Sequence, residues 1–171
     1  MQIESPTASY GCRWLDLALA KLQALLQSAI SAGTSYLLGG KISPLSMQAD
    51  DPNWPGQVDC SGFVRWLLYH ALGQPADFDV PDGSANQHQW MIDAGFKPSQ
   101  WQDGLGSDGY IRVGVLAPED TSEGIGHIWM TYDGNTIESH GGVGPSSRVL
   151  ADTPILHAGH WFVLTPPPNA R

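Results

Sequence analysis

The chain has 171 residues, of which 42% are hydrophobic and 20 are glycine, so it can build one domain with a genuine core but not two of ordinary size. Its formal net charge of −9 reflects 17 acidic against 8 basic residues, which argues against binding to nucleic acid or to an anionic membrane. We therefore predict a single domain over residues 1–165 that binds neither of these partners.

The two ends of the chain lack the pattern of a folded element. Residues 1–9 have neither the basic start nor the apolar run of a secretory signal, and no apolar run approaches the length of a membrane span. Residues 166–171 begin with three prolines, which favour an extended conformation. The chain as given is predicted to be soluble, without an export signal, and to end in a tail that either frays or leads to a further domain.

Three helices are predicted in the first half of the chain, from apolar residues at helical spacing, over residues 11–32, 60–70 and 84–94. In the third, Ser84 is the expected N-terminal cap and Gly95 the expected terminator. Between the first two helices lie a short apolar element at residues 36–40, broken by two glycines, and an irregular loop at residues 43–56.

Strand patterns occupy the second half, over residues 110–116, 126–132, 135–139 and 160–164. The tripeptide Asp133-Gly134-Asn135 separates the second of these from the third and predicts a tight hairpin. Helices first and antiparallel strands afterwards predict an α+β fold.

A cysteine is predicted at the first turn of the second helix, within Asp59-Cys60-Ser61-Gly62. The partial positive charge of a helix N-terminus favours a thiolate there, so Cys60 is a candidate nucleophile. His127, at the head of an apolar strand, is the candidate base. We expect both cysteines, Cys12 and Cys60, to be free thiols, because pairing them would block this chemistry.

Four motifs occur in order along the chain: Gly33-Thr34-Ser35-Tyr36-Leu37-Leu38-Gly39-Gly40, Asp59-Cys60-Ser61-Gly62-Phe63-Val64, Gly126-His127-Ile128-Trp129-Met130 and Thr136-Ile137-Glu138-Ser139. Together they resemble the NlpC/P60 family of cell-wall cysteine peptidases, and the cysteine motif is their most specific part. The chain departs from the family at residues 112–115, where a Gly-Asp pair is usual. The resemblance implies a papain-like fold in which N-terminal helices pack on a central antiparallel sheet.

The resemblance also implies a reaction: hydrolysis of a stem-peptide bond of peptidoglycan, commonly the one between D-glutamate and the diamino acid, through an acyl-enzyme. Cys60 would attack the carbonyl and His127 would act as base and then as acid. We expect a monomer without a cofactor, which works on the bacterial wall as an extracellular or phage-delivered hydrolase.

A third polar residue should orient the histidine, and two candidates lie on the strand that follows. The resemblance aligns Glu138 with that position. Side chains alternate along a strand, so Glu138 and His140 share a face and either could reach the imidazole of His127. We favour Glu138, because a carboxylate stabilises an imidazolium more strongly than a neutral ring does.

Four residues are candidates for binding substrate. By resemblance, Tyr36 could contact the thiol or the substrate, while Asp59 and Ser61 could bind the free amino end of the stem peptide. Their plainer roles are a helix cap for Asp59 and backbone bonding in the first turn for Ser61. Trp54 lies in loop-like sequence, as does Trp101, and is a candidate cleft wall or glycan contact.

Other readings remain open. Four further histidines, His70, His88, His157 and His160, compete for the role of base, and their spacing does not predict a metal site. A different enzyme, a CHAP-type amidase cutting between muramic acid and L-alanine, shares the Gly-His strand. A wall-binding module that keeps the scaffold without activity is the alternative from a different functional class.

Overall fold

The chain folds as an α+β protein in this computed structural model. The structure describes residues 7–43, 56–73, 79–104, 108–153 and 159–164, without the side chains of residues 7–13, 101 and 104. Most of the predicted loop at residues 43–56 and the whole predicted tail at residues 166–171 lie outside these ranges.

The predicted helices are present with small shifts at their ends. They are α1 (Thr7–Ser31), α2 (Cys60–Ala71), α3 (Ser84–Asp93) and a further single turn, α4 (Trp101–Gly104), which the sequence pattern does not predict. The predicted capping role of Ser84 is wrong: Gly83 is the cap residue, no side chain caps the helix, and Ser84 is the first helical residue. Gly95 does follow the end of α3, at a φ of +74° that glycine adopts without strain.

Six strands form one antiparallel sheet in the order β1-β6-β2-β3-β4-β5. Their bounds are Lys97–Ser99 (β1), Arg112–Leu116 (β2), His127–Tyr132 (β3), Asn135–His140 (β4), Gly144–Ser146 (β5) and His160–Val163 (β6). The strands that the sequence does not predict, β1 and β5, are three residues long, lie at the two edges, and contain Pro98 and Pro145. Proline is tolerated at an edge, where its missing N–H need not pair with a neighbouring strand.

The hairpin between β3 and β4 is confirmed. Tyr132 pairs with Asn135, which leaves Asp133 and Gly134 as a two-residue loop. Their φ values of +50° and +72° are those of the tight turn that matches the twist of two antiparallel strands.

The main core lies between the helices and one face of the sheet. α2 packs against α1 on one side and against β3 and β4 on the other. The fully buried residues of this core include Leu22 of α1, Phe63 and Leu67 of α2, and Ile128 and Met130 of β3. Because side chains alternate along β3, Trp129, which lies between Ile128 and Met130, is directed to the opposite face of the sheet.

A smaller apolar cluster covers that opposite face, built on the indoles of Trp129 and Trp161, which meet edge to face at 5.3 Å between ring centroids. Gly114 of β2 pairs with Trp129 of β3, and a Cβ atom at Gly114 would collide with the indole ring. The glycine thus makes room for Trp129 in the centre of the sheet. Among the described helices, none is long and apolar enough to cross a lipid bilayer.

Candidate active site

The residues before α2 are held in place by the segment at residues 34–40. The N–H of Val58 donates to the carbonyl of Ser35 at 2.9 Å, and the N–H of Asp59 donates to the carbonyl of Gly40 at 2.9 Å. A Cβ atom at Gly40 would lie 3.2 Å from the Cα of Val58, so the two backbones approach this closely only because the residue is glycine. The two motifs around Tyr36 and Cys60 are thereby brought together.

Asp59 is the N-cap of α2 and is buried. Its Oδ1 accepts hydrogen bonds from the N–H of Gly62 at 2.7 Å and from the hydroxyl of Ser61 at 2.9 Å. Its Oδ2 accepts from the N–H of Gly39 at 3.1 Å and from the ammonium of Lys41 at 2.6 Å. The carboxylate therefore caps the helix and is bonded through both oxygens to the protein itself.

Cys60 is the first residue of α2 and directly follows this cap. It is a free thiol, 4% exposed, and its side chain forms a hydrogen bond with the ring of His127. The N-terminus of a helix stabilises negative charge at this position. The predicted nucleophile and the predicted base are in contact.

The ring of His127 is held on two further sides. Nε2 lies 2.7 Å from Oε2 of Glu138, so Nδ1 is the ring nitrogen that this contact leaves free. The fully buried indole of Trp129 is stacked beside the imidazole, with ring centroids 5.6 Å apart and planes inclined by 20°. The His127 side chain retains 17% of its surface, so this edge of the site reaches solvent.

Glu138 is completely buried and is bonded through both oxygens. Its Oε1 accepts from the hydroxyl of Thr136 at 2.7 Å and from Arg148, through Nε at 2.9 Å and Nη2 at 2.8 Å. Its Oε2 is the partner of His127. A buried carboxylate keeps its charge only with partners of this kind.

The position of Glu138 depends on a change of partner along β4. β4 pairs with β3 as far as Ile137 and with β5 from Glu138 onward. The ladder to β3 therefore ends where the carboxylate begins, and the side chain of His127, at the start of β3, lies beside this point. The hydroxyl of Ser139 donates to the carbonyl of Val58 at 2.8 Å and ties the same stretch of β4 to the residues before Cys60.

The ionisation states of His127 and Glu138 follow from these contacts. Burial alone would lower the pKa of His127, but the hydrogen bonds to Cys60 and Glu138 outweigh it and raise that pKa to about 9. Burial alone would raise the pKa of Glu138, but the hydrogen bonds from His127 and Thr136, followed by nearby positive charge, lower it to about 2. At neutral pH the two groups thus form an imidazolium–carboxylate pair.

The raised pKa of His127 predicts a pH dependence of stability. The pKa rises from 6.5 to about 9 on folding, so the protonated ring contributes its full stabilisation below about pH 6.5, and that contribution is lost as the pH rises through 9. We expect the free energy of unfolding, measured with urea, to fall between pH 6.5 and pH 9.5, and the His127→Gln variant to show a smaller fall. The His88→Gln variant serves as control, and an unchanged fall in His127→Gln would contradict the assignment.

Tyr36 and His140 lie near Cys60 and His127, but their surroundings differ. Burial, followed by the negative charges of Cys60 and Asp59, raises the pKa of Tyr36 to about 12, so its hydroxyl stays protonated close to both groups. The Nδ1 of His140 lies 3.2 Å from the carbonyl oxygen of Gly141, and burial and the charge of Arg148 lower the pKa of that ring. Glu138, not His140, is the side chain in contact with His127.

The remaining predicted residues have different outcomes. Trp54 and His157 lie outside the described residues, as does the side chain of Trp101. His70 is buried against Trp66, with ring centroids 5.2 Å apart. The rings of His88 and His160 pack against each other, with centroids 4.3 Å apart.

Ser61 is predicted from the sequence to bond to the backbone in the first turn of α2. In the structure its hydroxyl donates instead to the side chain of Asp59, and its backbone carbonyl accepts a hydrogen bond from the side-chain amide of Gln87 at 2.9 Å.

Sequence reasoning missed two charged residues of the site, Lys41 and Arg148. Lys41 directly follows the glycine pair of the Tyr36 motif, but no local pattern distinguishes it from a surface lysine. Arg148 lies beyond β5, and backbone bonds to Thr136 bring it beside Glu138: the N–H of Arg148 donates to Oγ1 of Thr136 at 3.0 Å, and its carbonyl accepts from the N–H of Thr136 at 2.8 Å.

The comparison with known proteins adds no assignment to this geometry. No protein-family model matches the chain, and no curated protein matches it. Within the described part of the chain, no group of three or more histidine, cysteine, aspartate or glutamate side chains is arranged to hold a metal ion. The chemistry of the site therefore depends on Cys60, His127 and Glu138 themselves.

Proposed function

We propose that this protein is a cysteine peptidase with a papain-like arrangement of the NlpC/P60 kind, and that it hydrolyses a stem-peptide bond of peptidoglycan. The observation that carries the proposal is the continuous set of hydrogen bonds from Cys60 to His127 to Glu138, which starts at the N-terminus of a helix. A buried thiol without function needs neither a histidine partner nor a buried carboxylate behind that histidine.

The first half of the reaction makes an acyl-enzyme. The thiolate of Cys60 attacks the carbonyl carbon of the scissile peptide bond, and the negative charge moves to the carbonyl oxygen. The N–H groups of Gly62 and Phe63 are bonded to Asp59, so the candidate donors to that oxygen are the N–H groups of Cys60 and Ser61. The imidazolium of His127 then protonates the departing nitrogen, and the C–N bond breaks.

The second half restores the enzyme. His127, now neutral, accepts a proton from a water molecule that attacks the thioester carbonyl. The C–S bond breaks, the product leaves as a carboxylic acid, and the proton on His127 again balances the thiolate of Cys60. Glu138 stays ionised throughout and stabilises the imidazolium, while the stacked Trp129 keeps the ring from turning away.

The substrate class comes from the resemblance of the sequence motifs, and the bond between D-glutamate and the diamino acid is the proposed site of cleavage. A protein that acts on this polymer works outside the cytoplasm of the cell whose wall it cuts, delivered by a phage or secreted. Tyr36, with a protonated hydroxyl close to Cys60, is the proposed contact to a carbonyl of the stem peptide.

The test is digestion of purified peptidoglycan of known stem chemistry, followed by identification of the products by mass. We expect one new amino terminus, on the diamino acid, and a matching carboxyl terminus on D-glutamate. A new amino terminus on L-alanine would instead identify an amidase. The absence of any product from several wall types, with binding to the wall retained, would identify a non-catalytic wall-binding module.

A further inference from the structure

The carboxylate beside the nucleophile has no acceptor left for a substrate. Asp59 receives four hydrogen bonds, two on each oxygen, which is the full capacity of a carboxylate. It is also buried, 4% exposed. An ammonium group of a peptide would have to displace Lys41 from Asp59 before it could bind there.

Lys41 supplies the positive charge at this point. Among the described residues, its ammonium contacts Oδ2 of Asp59 at 2.6 Å and Oγ of Ser61 at 2.5 Å. Asp59 and Ser61 are the residues directly before and after Cys60 in the chain. An ammonium has three N–H donors, so these two contacts with described residues leave one donor for a further partner. The Lys41 side chain keeps 30% of its surface, so it is partly exposed to solvent.

We propose that Lys41, Asp59 and Ser61 form a substrate subsite that excludes a free ammonium group and binds an acceptor oxygen through the ammonium of Lys41. The peptide it selects has an acylated amino group, as when the stem is still joined to its sugar, because the acyl carbonyl supplies that oxygen. A free amino terminus would place a second positive charge against Lys41, with no carboxylate available to compensate it. This inference rests on the proposed function and reverses the expectation that Asp59 and Ser61 bind a free amino end.

The test compares two stem peptides of identical sequence, one with a free and one with an acetylated amino terminus. At pH 6.5 the free terminus is protonated, since an α-amino group has a pKa of about 8. We expect the wild-type kcat/KM to favour the acetylated peptide by at least about tenfold, which corresponds to one unfavourable charge contact. A wild-type protein that cleaves the free peptide equally well or better would overturn the inference.

Variants of Lys41 locate the cause of the preference. In Lys41→Met the carboxylate of Asp59 loses its cation, so the preference for the acetylated peptide should fall at least about tenfold. Lys41→Arg keeps the charge and should keep the preference, as should the matched control Lys97→Met, since Lys97 is an exposed lysine of edge strand β1. A preference that is unchanged in Lys41→Met would overturn the inference.

A second measurement covers the case in which Lys41→Met does not fold. Raising the pH from 6.5 to 9 removes the charge of the free amino terminus. The ratio of the two kcat/KM values cancels any ionisation that affects both peptides alike. We expect the wild-type preference to shrink over this range, and a constant preference would overturn the inference.

Failure of the proposed function gives a different result. If wild-type protein cleaves neither peptide and releases no product from peptidoglycan, hydrolysis is refuted, and the Cys60→Ala protein then tests the subsite by calorimetry alone. Tighter binding of the acetylated peptide would support the subsite without the reaction. Equal binding, tighter binding of the free peptide or no binding of either would overturn it.

Discussion

Replacing Cys60 by alanine is expected to lower the rate of stem-peptide hydrolysis by at least about 10⁴-fold, because the bond-forming atom is removed. The fold should survive. Cys60 packs in the main core, and loss of one buried sulfur atom costs about 1 kcal/mol in the free energy of unfolding. The measurements are the rate of product release by mass analysis and the unfolding transition in urea.

The matched control is the other cysteine of the chain, Cys12. Cys12→Ala should retain hydrolysis and should leave Cys60 open to alkylation. Alkylation of Cys60 by iodoacetamide should in turn be faster than that of a free cysteine in solution, because His127 balances the thiolate. Full activity in Cys60→Ala would show that the hydrolysis does not proceed through this sulfur.

Replacing Glu138 by glutamine is expected to lower kcat by about 10²–10⁴-fold with the fold retained. The amide has nearly the shape of the carboxylate but not its charge, so the imidazolium of His127 loses one of the two partners that stabilise it. The amide can also present an N–H to Nε2, which favours the wrong tautomer of the ring. Steady-state kinetics across pH are the measurement.

The pH profile separates this effect from simple loss of structure. The pKa of His127 is about 9 partly because of Glu138, so the decline of activity at high pH should move to lower pH in Glu138→Gln. His140→Gln, two residues along the same strand, should reduce kcat less than tenfold and leave the decline of activity at high pH where it is in the wild type. A larger loss in His140→Gln than in Glu138→Gln would contradict the role assigned to the carboxylate.

Several features of this protein follow from local sequence. The start of α2 is read from Asp59, a residue that caps helices, followed by an apolar run, and the structure has this cap. The β3–β4 hairpin is read from Asp133-Gly134, because few residues tolerate two successive positive φ angles. These features depend on neighbours a few residues apart, which is why the pattern of the chain predicts them.

Other features involve contacts between distant parts of the chain. The sequence leaves Glu138 and His140 as alternatives because both lie on one face of β4, whereas the structure brings Glu138 to Nε2 of His127 where β3 and β4 part. The parting depends on β5, a three-residue strand with a proline that carries no strand pattern of its own. Pairing with β4 stabilises β5 as a strand, whereas the intrinsic strand propensity of its residues does not.

The amino-acid sequence by itself determined the α+β order of elements, a cysteine at a helix start and a histidine at a strand start, because helix caps, tight turns and apolar periodicity act over a few residues. Only the tertiary structure decided that Glu138 contacts His127, that Arg148 supports Glu138, and that Lys41 occupies the carboxylate of Asp59. These contacts join residues 10 to 18 positions apart through strand pairing and loop packing, and a single charged side chain carries no local signal of the partner that it will meet.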